Sequence, residues 1–149
     1  MHSDALSLHP DPETAPQFYA GVSVKRFFAW IIDAIVVGGL TFIAGLLTLT
    51  LAFWFFPLAF VLLGFMYRVW TISTRSATWG MRIMGIELRN RGGLTVTTTE
   101  AVVHTLAYSV VLLSGLLHLL TVVLMIATPK GQGLHDFLTG TVMINSPEA

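Results

Sequence analysis

The sequence predicts a mainly α-helical integral membrane protein. Two full transmembrane helices, at about 27–48 and 52–72, precede a third long or broken membrane segment at about 100–127, and a small cytoplasmic β-hairpin or sheet completes the fold. Three observations predict this. Hydrophobic residues make up 54% of the 149 and charged residues only 11%, against roughly 25% charge in a soluble domain. Between Phe27 and Ile72 only Asp33 and Arg68 carry formal charge, and Ala101–Ala127 carries none. A bilayer core about 30 Å thick takes roughly 20 helical residues per crossing, so 27–72 fits two crossings and a very short turn.

Composition also excludes functions. The net charge is zero, which gives no basis for nucleic-acid binding. Cysteine is absent, which removes disulfides, thiolate metal sites and thiol catalysis. No HExxH, paired-carboxylate or Cys/His spacing suggests a metal, no nucleotide-binding loop is present, and no cofactor or enzyme activity is expected.

Taken in order, residues 1–18 read as a mobile, solvated tail. They hold Asp4, Asp11, Glu13 and three prolines, without the basic and apolar regions of a secretory signal. The first helix follows Lys25-Arg26, and an uncharged turn near Thr48–Leu51 leads to the second. Pro57 falls in that helix's early turns, where a missing backbone donor is least harmful. Trp30, Trp70 and Trp79 mark one interface and Trp54 the other. Basic residues flank the pair on one side only: Lys25 and Arg26 before it, Arg75, Arg82, Arg89 and Arg91 after it. The positive-inside rule puts that side, with the N-terminus, in the cytoplasm.

The connection "GIELRNRGGLTV" alternates apolar and polar residues around Gly-Gly and predicts a hairpin at about 84–97. Thr97 and Glu100 form a capping box that starts the next helix. The segment 101–127 is long for one upright crossing and short for two. It is either one tilted helix or a helix broken near Ser114-Gly115 that returns the chain to the cytoplasm. "GTVMI", 140–144, reads as a strand, and pairing with the hairpin requires that return.

Candidate functional residues are the polar groups set in this apolar chain. Arg26 and Asp33 are seven residues apart, on one helix face and roughly 10 Å apart along the axis. Asp33 and Arg68 fall at similar depth on antiparallel neighbours, which predicts an ion pair between them. Asp33 is either a paired charge that fixes packing or a proton- or cation-carrying site. Arg68 reads as structural, able to snorkel to the interface. His104 and His118 read as packing residues. In "GLHDFLTG", His135 and Asp136 have no nucleophile nearby, and Asp136 reads as the cap of a short turn at 136–140. The spacings Ala34-x-x-x-Gly38 and Thr41-x-x-x-Gly45 permit close helix contact.

Three ordered stretches, "YAGVSVKRFFAWIIDAIV", "TWGMRIMGIELRNRGG" and "QGLHDFLTGTVMI", together resemble the RDD family of small bacterial membrane proteins, over about residues 19–145. The resemblance implies that Arg26, Asp33 and Asp136 are the arginine and two aspartates for which the family is named. Thr78, Gly80, Arg82 and Gly85 fit its central element, while Met81 stands in place of a lysine and His104 in place of a basic residue. The resemblance implies a cytoplasmic-membrane protein, with sodium–proton exchange linked to some members.

Two function classes follow. In one, the chain is a transport component that moves protons, cations or small ligands as an oligomer, most simply a dimer, with Asp33 as carrier and Arg26, Arg68 and Asp136 shaping the cytoplasmic mouth. In the other, it is a non-transporting membrane scaffold or assembly factor whose arginine–aspartate cluster is structural.

Overall fold

The computed structural model describes residues 8–147. The first helix, α1, spans Val22–Leu47, about 39 Å at 1.5 Å per residue. It starts five residues earlier than the charge pattern indicates. Gly21, at φ 69°, turns the chain into it, and protein groups bind the basic pair that was expected to lie ahead of it. Lys25 Nζ donates to Asn145 Oδ1 at 2.7 Å, and Arg26 bonds the carbonyl of Gly131.

Residues 48–50 reverse the chain, with Leu49 and Thr50 both at positive φ (51° and 74°). A single turn, α2 (Leu51–Trp54), precedes α3 (Phe56–Arg75). The expected helix at 52–72 is therefore divided near its start. Pro57 occupies the first turn of α3; it has no N–H to continue the bonding of α2, and its fixed φ suits a helix start. Phe53 of α2 lies over Gly45, where a β-carbon would collide with its ring.

Beyond α3 come α4 (Trp79–Ile83), β1 (Ile86–Arg89), α5 (Thr98–Leu113), α6 (Leu116–Ala127), α7 (Leu134–Thr139) and β2 (Val142–Asn145). The Thr97–Glu100 capping box opens α5: Glu100 N donates to Thr97 Oγ1 and Thr97 N to Glu100 Oε2. The two strands pair antiparallel, Ile86 opposite Asn145 and Arg89 opposite Val142. This corrects the hairpin expected at 84–97. Its return arm contributes only an isolated bridge, Arg89 to Thr95. Asn90 Oδ1 takes the amides of Gly92 and Leu94, both at 3.0 Å, and Val96 N donates to Ser76 Oγ at 2.7 Å, so the return arm is pulled off the ladder.

The third apolar segment is broken. α5 and α6 are bent by 113° at Ser114-Gly115, where Gly115 adopts φ 28°. The pair starts and finishes at one end of the molecule. Val96, just before α5, bonds Ser76 at the end of α3, and the carbonyl of Met125 in α6 accepts from Ser23 Oγ of α1 at 2.6 Å. Two helices, α1 with its lead-in and α3, are long and apolar enough to cross a membrane.

The part of the expected mobile tail that falls within 8–18 is docked. Its prolines and Asp11 hold tight turns: Glu13 N donates to Asp11 Oδ1, and Tyr19 Oη donates to the carbonyl of Pro10. His9 Nε2 meets the carbonyl of Asn90 at 2.6 Å. Residues 1–7 lie outside the described residues.

The buried core sits at this same end, under the sheet. Val22, Ala29, Ile72, Met81, Ile86, Leu88, Ala101 and Met143 form one cluster. Farther along the helices, Leu40, Phe42, Ile43, Leu46 and Leu47 of α1 face outward. An apolar exterior of this kind suits lipid, where helices gain no hydrophobic benefit from covering one another. Buried hydroxyls bond their own helix: Thr41 Oγ1 donates to the Val37 carbonyl and Thr71 Oγ1 to that of Tyr67.

Candidate functional site

Asp33 lies midway along α1 and is 6% exposed. Its carboxylate accepts three hydrogen bonds: from Tyr67 Oη at 2.7 Å, Thr78 Oγ1 at 2.6 Å and Gly80 N at 2.9 Å. These donors come from α3 and from the start of α4. The first amides of a helix have no partner within it, and here each finds one elsewhere. Trp79 N donates to Tyr67 Oη, Gly80 N to Asp33, and Met81 N to Thr78 Oγ1. Asp33 therefore caps α4 from a different helix. Gly80 makes the approach possible, because a β-carbon there would collide with the Ala29 carbonyl and Asp33 Oδ1.

The expected Asp33–Arg68 ion pair does not form: no ion pair joins them among the described residues. Consecutive helical residues point about 100° apart. Tyr67 faces Asp33, which directs Arg68 toward α5. The Arg68 guanidinium lies 3.9 Å over the Tyr108 ring.

A second joint brings Arg26 to Asp136, with Nη2 to Oδ2 at 2.7 Å and both side chains buried. Asp136 also receives His104 Nε2 at 3.0 Å and the amide of Gly133 at 2.9 Å. Asp136 thus caps α7 from within its first turn, rather than preceding a turn at 136–140. His135 Nε2 lies 3.3 Å from Arg26 Nη2. Arginine can only donate, so this nitrogen accepts and the ring proton sits on Nδ1. Burial pushes the His135 imidazole down to about 3. For Asp136, burial opposes the charge, yet the Arg26 guanidinium, with His135 and the His104 hydrogen bond, holds the carboxyl well below the usual carboxylate range.

His104, His135 and Asp136 bring one potential ligand atom each within 4.8 Å of one another. Arg26 already supplies the positive charge there, bonded to the same carboxylate and imidazole. A divalent ion would face that guanidinium at close range, and the chemistry of this donor set favours the arginine.

The arginine and two aspartates thus divide between two joints: Arg26 with Asp136, and Asp33 with α4. Arg82 belongs to neither. It is exposed on α4. His118 of α6 lines a cavity of about 450 Å³ together with Arg26, Asp33, Arg68, His104 and His135. Sequence reasoning missed Tyr67 and Tyr108, and it named Thr78 only through the family's central element, with no role at Asp33. Thr78 did carry a signal, as an N-cap threonine ahead of Trp79-Gly80; the two tyrosines carried none.

Residues 19–140 match the family model of the RDD family. No curated protein and no solved structure matches the chain.

Proposed function

Because the chain belongs to the RDD family, we propose that it is a small multi-pass scaffold of the bacterial cytoplasmic membrane, with its N-terminus in the cytoplasm and its arginine–aspartate joints serving architecture. The coordination of Asp33 carries this reading. Three donors, from α3 and the start of α4, engage both of its oxygens. A carrier carboxylate must release such partners to take up a proton or cation in each cycle; this one would uncap α4 in doing so. The orientation rests on Lys25, Arg26, Arg75, Arg89 and Arg91, which gather at the sheet end, while the 48–50 turn has no charge. Assembly as a two-fold dimer fits α1: open space lies beside Gly38 and Gly39, and closed dimers are the commonest oligomers.

The test is flux in proteoliposomes containing this protein alone. The scaffold reading expects no proton-coupled sodium or potassium flux from the wild type, and loss of assembly in Asp33→Asn. Wild-type flux that Asp33→Asn abolishes while the protein stays folded would reverse it. That outcome would support the second reading, a transport component working as an oligomer. The presence of Asp33 and Arg68 in the wall of the same cavity favours that reading.

A further inference from the structure

We propose that the cavity between α1, α3, α5 and α6 binds a single-chain anionic amphiphile, with its head on Arg68 and its hydrocarbon along Phe27, Trp30 and Val122. The cavity's volume, about 450 Å³, lies within the range of small-molecule sites, roughly 300–1,000 Å³. Its charges select an anion. The charge of Arg26 is met by Asp136, and that of Asp33 by three donors. Arg68 has no carboxylate in ion-pair range among the described residues, and its Nε is buried with no hydrogen-bond partner.

Stacking on Tyr108 engages the face of the guanidinium. The donors lie around its edge, where a carboxylate or phosphate binds in bidentate fashion. Tyr108 also meets the His135 ring edge-on, at 5.4 Å between centroids. His135 is 2% exposed, and its Nδ1, which carries the ring proton, has no partner either. An anionic head in this neighbourhood would satisfy two buried donors that the chain leaves unmet, and unmet buried donors are costly.

The rest of the wall selects a chain. Phe27, Trp30, Val122 and Ile126 line the cavity and are also exposed on the apolar outer surface. The cavity therefore opens sideways, toward where lipid would lie. Fatty carboxylates and lipid phosphates share the required chemistry, and the inference holds whether or not the protein transports.

Native mass spectrometry of the full chain in a neutral detergent tests it. The probes are dodecanoate, dodecyl phosphate, dodecanol and inorganic phosphate. One charged amphiphile should be retained per chain, and the better retained of the two identifies the source as a fatty acid or a single-chain lysophospholipid. Arg68→Gln should weaken retention about tenfold or more, the scale of a lost charge-assisted bond, while Arg68→Lys retains part of it. Val122→Trp narrows the cavity without touching Arg68 and should weaken retention as well. Equal retention of dodecanol, equal retention of inorganic phosphate, or unchanged retention in both Arg68→Gln and Val122→Trp would overturn the proposal.

Discussion

A carboxylate inside an apolar helix reads at first as a problem of charge, yet Asp33 is solved by hydrogen bonding. Its partners are two hydroxyls and an amide, and a double-mutant cycle should show this. Asp33→Asn presents an NH₂ group to donors. We expect it to cost about 1–3 kcal/mol, the penalty for a buried donor left unmet, and to couple strongly with Thr78→Ala in unfolding from micelles. Coupling of Asp33→Asn with Arg68→Gln should be near zero, since no ion pair links those residues. At the other joint, Arg26→Gln leaves Asp136 buried without its countercharge, at a cost of about 3–5 kcal/mol by analogy with other buried pairs. Acid should weaken that joint. His135 titrates at about 3 when folded and near 6.5 when unfolded, so between those values the unfolded chain holds more protons. Stability is then full above pH 6.5 and falls as pH drops toward 3. Asp136, also depressed, extends the loss below its unfolded value. His135→Gln should flatten the upper part of this profile in pH-dependent thermal unfolding. Asp33 and Asp136 stood out in the sequence because charge is scarce there. The contacts of Tyr67 and Thr78 with Asp33 did not, because these neutral residues, 34 and 45 positions away, reach it only once α3 has packed on α1 and α4 has folded back.

Among the elements, α4 is the hinge of the arrangement, although it has only five residues. Its start is capped by three side chains and its approach to α1 depends on Gly80. Gly80→Ala should cost about 1–3 kcal/mol, the usual penalty of overpacking, and should lower the thermal midpoint more than Gly64→Ala, where a β-carbon meets Val37 at 3.5 Å, an ordinary contact distance. The long apolar runs and the Thr97–Glu100 cap were legible because hydrophobic length and capping chemistry are local signals. The hairpin was misread because alternation reports a strand but not its partner. Asn90 and Ser76 take the amides of the return arm, and β2, over fifty residues later, takes the edge of β1. The break at 114–115 was legible as a choice between two readings. The bend is decided by what α6 meets, Ser23 and the α7 joint, and composition does not reveal that.

For the molecule as a whole, a chain without cysteine offers a clean background for site-directed labelling. Leu94 and Leu138 are exposed at the sheet end and Leu49 at the opposite turn. In sealed vesicles, an impermeant thiol reagent should reach Leu94→Cys and Leu138→Cys from the same side and Leu49→Cys from the other. Labelling of Leu138→Cys from the side of Leu49→Cys would mean that α5 and α6 cross after all. The bent pair also bears on biogenesis. With α5 and α6 returning to their starting side, only the α1–α3 hairpin has to be threaded through a bilayer. No charged residue lies between Asp33 and Arg68, and the 48–50 turn that leads the way is uncharged. No ionised group has to reach the far side, so the hairpin can enter as one piece, and the unfolded chain should recover its structure when diluted into preformed liposomes without an insertion machine.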